Sequence, residues 1–161
     1  MEPVDESDLE WEELERGDAA FRRKRLADAA GAGDDLGCSL YELPPGKRSW
    51  PYHYHTANAE AIYVLDGDGL VRLGDDEYRV SAGSYVHCPA APEGAHRVVN
   101  DGDDPLRYLM VSTMDEPEII EYPDSEKVGV FAGSPPGSRA DRSVHGYFRT
   151  DDAVDYWDGE E

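Results

Sequence analysis

Two imidazoles one residue apart, His53 and His55, are followed by Glu60 and, much later, by His96. These are the residues whose types and spacing offer metal chemistry. On an extended strand alternate side chains share a face, so His53 and His55 project together while Tyr52 and Tyr54 turn the other way. Side by side, they are the start of a bidentate metal site. Glu60 comes after the short turn TANA and heads the apolar run AIYVL, so a hairpin brings it alongside the pair. His96 lies in PEGAHRVVN, where Gly94 permits a tight bend before a strand, and is the candidate for a third imidazole. An HxH pair alone is more often a surface feature of a strand; the additional Glu and His raise it above that.

The elements that must position these residues are short and β-rich. From Leu36 to Thr113 the chain reads LGCSLYEL, SWPYHYH, AIYVLDG, GLVRLGDD, EYRVSAG, SYVHCPA, AHRVVNDGDD and LRYLMVST. Runs of four to eight residues punctuated by Gly, Asp, Asn and Pro predict an all-β antiparallel sandwich or barrel. Residues 1–35 carry helix-forming residues with apolar Leu9, Trp11, Leu14, Phe21 and Leu26, interrupted by Gly17, and predict a loose, partly helical arm. Residues 114–161 are rich in proline, with a Gly/Ser stretch, and end in an aromatic segment. Tyr147, Phe148, Tyr156 and Trp157 predict a C-terminal extension wrapping the barrel, because aromatic side chains bury large areas. No internal repeat is present, and the length excludes a second barrel.

Composition narrows the partners. The chain has 161 residues, 36 of them acidic against 15 basic, for a net charge of −21. That field repels phosphate backbones and anionic headgroups, so neither nucleic acid nor membrane is expected. The lysine-poor, arginine-retaining acidity resembles that of proteins from salt-loving microbes, where ionic strength screens self-repulsion. The acidic amino terminus lacks a signal-peptide pattern, and a cytoplasmic protein is expected. The basic run FRRKR at 21–25 follows EWEELE and is read as self-paired. Cys38 and Cys88 are read as small buried thiols.

The spacings resemble the two sequence motifs of the cupin family. Gly46, His53, His55, Glu60 and Gly67 match the first motif with one extra residue between Gly46 and His53. Gly83, Pro89, His96 and Asn100 match the second in part; an insertion leaves Pro92 and Gly94 nearest the histidine. The resemblance covers residues 36–113, and the flanks LYELPPGKRSWPYHYH, EYPDSEKVGV and DAVDYWDGE are similar to those of uncharacterised single-domain microbial cupins. It implies an antiparallel double-stranded β-helix, or jelly-roll barrel, with one divalent transition metal held by His53, His55, Glu60 and His96. Three imidazoles and a carboxylate suit Mn, Fe, Ni, Co, Cu or Zn and disfavour Ca or Mg. It also implies a homodimer, with outward apolar strand residues and the tails as the contact surface.

Around that centre, strand parity places Ile62 and Val64 inward as pocket candidates and Tyr63 outward. Trp50 is a candidate for the barrel mouth. Asn100 is a candidate for the pocket or for capping the DGDD turn. His87 is expected to pack or hydrogen-bond, and His145 to lie away from the barrel. Arg72, Arg97 and Arg107 are expected to pair with neighbouring carboxylates. The function expected is that of a metal-dependent enzyme acting on a small polar metabolite, of oxygenase, isomerase, decarboxylase or hydrolase type. The alternative is a non-catalytic cupin that binds a sugar or organic acid.

Overall fold

In a computed structural model of the protein, residues 2–136 and 141–160 are described. The architecture is all-β and antiparallel. Strands β1 (Glu12–Arg16), β2 (Ala19–Arg25), β3 (Leu36–Leu43), β5 (Glu60–Asp66), β8 (Tyr85–Cys88) and β10 (Leu106–Thr113) make one sheet in the order β1-β2-β3-β10-β5-β8. Strands β4 (Tyr54–His55), β11 (Glu118–Tyr122), β12 (Lys127–Ala132) and β13 (Val144–Arg149) make a second, ordered β13-β12-β11-β4. A third contains β7 (Asp76–Ser81), β6 (Asp68–Leu73) and β9 (His96–Val99). Isolated bridges join them, His53 to His96 and Arg48 to Val99.

The core follows from alternation. Inward residues of β3, β5, β6, β9 and β10, including Leu43, Ile62, Val64, Val71, Val98, Leu106 and Tyr108, are at most 1% exposed. Each contributes roughly 1.5–3 kcal/mol on burial. Outward residues such as Tyr63 and Leu65 of β5 and Tyr85 of β8 stay exposed. The turn from β5 to β6 passes through Gly67 at φ +79, where a Cβ would stand 2.5 Å from the Pro105 carbonyl oxygen. Only glycine meets both demands.

The amino-terminal segment differs from the arm expected for it. Its helical part is one short helix, α1 (Leu26–Ala29), with a single 3-10 turn at Glu6–Asp8. The rest is a β-hairpin added to the main sheet, with β2 paired to β3. Glu, Leu and Arg are good helix formers, but here cross-strand pairing prevails. Glu12 lies opposite Arg23 and Leu14 opposite Phe21, and Phe21 is buried against the core. The expected self-pairing of the basic run is present: Glu12 Oε2 accepts from Nε of both Arg23 and Arg25, at 3.2 and 3.1 Å.

The carboxyl-terminal segment also departs from expectation. Residues 118–132 are integral strands of the second sheet, but the final aromatics are not wrapped onto it. Tyr156 and Trp157 are 84% and 69% exposed and pack on each other, ring centroids 4.9 Å apart. Among the described residues no helix is long and apolar enough to cross a membrane.

Candidate metal centre

His53 and His96 face each other across an antiparallel bridge, with His96 N–H donating to the His53 carbonyl at 2.9 Å. Their rings therefore sit side by side, centroids 4.8 Å apart. His55 lies on the same face two residues on, in β4, held by pairing with Ile120 of β11. Glu60 opens β5 opposite Cys88 and Ser112. The bend before His96 requires Gly94, because a Cβ there would fall 2.0 Å from the Pro89 carbonyl oxygen.

All three Nε2 atoms converge on one carboxylate oxygen. Glu60 Oε2 lies 3.1 Å from His96 Nε2, 3.3 Å from His55 Nε2 and 4.0 Å from His53 Nε2. Each Nδ1 is tied back instead: His53 to the Pro51 carbonyl at 2.7 Å, His96 to the Gly94 carbonyl at 3.0 Å, and His55 to Glu118 Oε2 at 3.2 Å. Acceptors at Nδ1 fix the proton there and leave Nε2 as the inward-facing donor atom. Glu60 Oε2 and His96 Nε2 are both buried with no satisfying hydrogen bond. Buried polar atoms left in this way are costly, and a cation among them would satisfy both. The donor set fits a transition metal. Among the described residues, His53, Glu60 and His96 offer ligand atoms that all lie within 4.8 Å of one another.

The electrostatics follow from this crowding. Burial, reinforced by the charge on His96, holds His53 down at about 3. Burial also opposes protonation of His55, but Glu60 and Glu118 outweigh it and raise that imidazole to about 9. His96 is raised well above its ordinary value, against its burial, by Cys88 and Glu60. Glu60 is held well below the usual carboxylate range, against its own burial, chiefly by His55.

Glu118 and Asn58 belong to no motif in the sequence. Glu118 is fully buried; its Oε1 accepts from the backbone N–H of Thr56 at 3.0 Å and of Ala57 at 3.1 Å. Its Oε2 takes His55 Nδ1 and the Asn58 side-chain amide. Burial pushes its pKa up, but His55 and these donors bring it below the ordinary value. Asn58 in turn accepts from Asp115 N–H at 2.6 Å and Thr113 Oγ1 at 3.0 Å. The two tie the HxH turn to β11.

A cavity of about 310 Å³ opens from the cluster, within the range of small-molecule sites. Trp50 and Tyr41 line one part; Tyr122, Tyr147, Phe131 and His145 line another. Trp50 is thus on the cavity as expected. Ile62 and Val64 are not: both are packed into the core at 0% and 1% exposure. Asn100 is fully buried away from the cavity and caps the turn, donating to the Leu43 and Asp104 carbonyls and accepting from Gly102 N–H. His145, expected to lie away from the barrel, reaches the cavity because β13 pairs with β12 and stacks it on Phe131 at 5.0 Å. His87, expected to pack or hydrogen-bond, is exposed on β8. Arg72 pairs with Asp124 and Arg107 with Glu6, whereas Arg97 Nε is buried without a hydrogen bond.

Comparison with known proteins agrees with this architecture. Residues 39–112 match the family model for the cupin domain. An uncharacterised protein of Methanocaldococcus jannaschii is 32% identical over 83 residues, which are 49% of this chain; the chain spans 64% of that relative's length. A crystal structure from Acidithiobacillus ferrooxidans, provisionally named a sugar phosphate isomerase, aligns with TM-score 0.77 and 27% identity. The match covers 92% of this chain and 90% of that one. A sugar phosphate isomerase of the cupin superfamily from Silicibacter pomeroyi also aligns with TM-score 0.77, at 24% identity, over 96% of this chain and 97% of that one. Residues 39–112 of the protein are thus a cupin domain.

Proposed function

We propose that this cupin domain protein is a metal-dependent enzyme acting on a small polar metabolite, with sugar phosphate isomerisation as the reaction class to test first. His53, His55, Glu60 and His96 would hold one divalent transition metal, which when bound supplies Lewis-acid polarisation of a substrate oxygen. The observation that carries this reading is the convergence of three Nε2 atoms on Glu60 Oε2 while every Nδ1 is tied back. Around that point the chain supplies orientation and exclusion of water. Glu118 fixes the ring of His55, and the Tyr122 ring covers His53 at 5.9 Å. The cavity volume suits a metabolite of a few carbon atoms. The isomerase class comes from the similarity to the Acidithiobacillus ferrooxidans protein.

Elemental analysis of protein purified without added metal tests the centre, and proton NMR of sugar phosphates in deuterated buffer tests the reaction. The wild type should carry close to one transition metal per chain and exchange substrate carbon-bound hydrogen. His96→Ala should stay folded and lose the ion. Full occupancy in that variant overturns the ligand assignment. A stoichiometric ion with ligand binding and no turnover across oxygenated and phosphorylated metabolites would move the protein to the non-catalytic binding class.

A further inference from the structure

We propose that the Tyr41 hydroxyl is a ligand-facing hydrogen-bond donor of this cavity, directed at a carbonyl, hydroxyl or carboxylate oxygen of an oxygen-rich substrate. This rests on reading the cavity as the substrate site. It does not depend on which ion is bound.

The inference begins with the row of side chains that the strand register creates. Arg23 of β2, Tyr41 of β3 and Tyr108 of β10 are direct cross-strand neighbours. Adjacent partners in register present their side chains on one face of the sheet. Tyr108 is fully buried and stacks parallel on Tyr41, with centroids 5.2 Å apart and planes at 4°. Phe21 closes in from another side at 5.4 Å. The Tyr41 ring is therefore clamped, and its oxygen cannot be redirected by rotation of the side chain.

A phenol oxygen offers two acceptor positions and one proton. Both acceptor positions of Tyr41 are taken, by Trp50 Nε1 at 3.0 Å and by Arg23 Nη1 at 3.4 Å. No acceptor among the described residues takes the Tyr41 proton. The hydroxyl of Tyr108, although stacked against it, is itself without a hydrogen-bond partner. What Tyr41 has left to give is its O–H, and it lines the same cavity as His53, His55 and Glu60. Donation from a guanidinium and an indole polarises that O–H and strengthens the bond it can make. Guanidinium and indole N–H groups donate only, so neither Arg23, which also pairs with Glu12 at 3.2 Å, nor Trp50 can take the Tyr41 proton.

The test separates this donor from the ion. In cobalt-loaded protein, glycolate serves as the probe and is titrated by the visible spectrum. Tyr41→Phe keeps the ring and its stack; glycolate affinity should fall about tenfold, the equivalent of one hydrogen bond, with cobalt content unchanged. Trp50→Phe removes a donor to Tyr41 but leaves its proton, and controls for loss of packing. It should weaken glycolate less than Tyr41→Phe does. Equal glycolate affinity in wild type and Tyr41→Phe overturns the proposal. Failure of the wild type to take up cobalt would sink the metal reading instead. A crystal of the wild type at near-atomic resolution then decides for Tyr41: a solvent or ligand oxygen within hydrogen-bond distance of its Oη supports the proposal. An Oη donating to a protein atom overturns it.

Discussion

The inner and outer parts of one cavity are built from the same kinds of side chain and held in different ways. At the inner part, His53, His55 and His96 each have Nδ1 engaged by an acceptor, two of them backbone carbonyls and the third a buried carboxylate. At the outer part, His145 makes ring contacts with Phe131 and Tyr147 and is exposed. Beyond it, Tyr147, Phe148, Tyr156 and Trp157 are all more than half exposed. Histidine content does not separate the two parts. What separates them is the acceptor behind each ring, which sets the tautomer and the direction of the free nitrogen.

Removing one acceptor is the sharpest way to break that contrast. Glu118→Gln should weaken metal binding by roughly 10–100-fold, the usual cost of losing a supporting carboxylate. It should also destabilise the protein by about 1–3 kcal/mol through impaired pairing of His55, Thr56, Ala57 and Asn58. Competition with a chelator measures the first effect and urea denaturation the second. His145→Ala in the same competition should change nothing. A Glu118→Gln protein with wild-type affinity would mean that His55 is oriented by its ring packing alone.

A smaller effect comes from pH, and its sign differs for folding and for metal. Folding raises the pKa of His55 from 6.5 to about 9, so its contribution to stability is fully present below 6.5 and is lost as pH rises through about 9. The melting temperature of the metal-free protein should therefore decline across that window. Metal affinity should climb over the same range, because the imidazolium must release its proton before Nε2 can bind. Calorimetry on the metal-free form and chelator competition across pH follow the two trends. Parallel trends would contradict the charge state assigned to His55.

The smallest effect belongs to the outer end. Deleting residues 151–160 should alter stability by less than about 0.5 kcal/mol in urea denaturation, since the aromatic pair there is exposed. A larger loss would mean that the tail is covered in solution.

The inner part was legible in the sequence because its signals are local or regular. Strand parity puts His53 and His55 on one face, a short turn returns Glu60, and a glycine bend precedes His96. Glu118 was not legible, since its partners are some sixty residues away and no spacing links them. The amino-terminal hairpin is hidden in the sequence because its residues favour helix individually, while the pairing of Leu14 with Phe21 and of Glu12 with Arg23 favours strand. Parity also placed Ile62 and Val64 inward correctly, but could not tell the packed core from the cavity beside it. The aromatic tail suggested burial by composition, and its rings satisfy each other instead.

The stretch recognisable as a cupin domain ends at residue 112, yet the acidic side chain that steadies His55 lies six positions beyond it. Anyone transplanting this cluster into another scaffold, or trimming the gene to its recognisable portion, would therefore carry off the three histidines and Glu60 and leave behind the strand that aims one of the imidazoles.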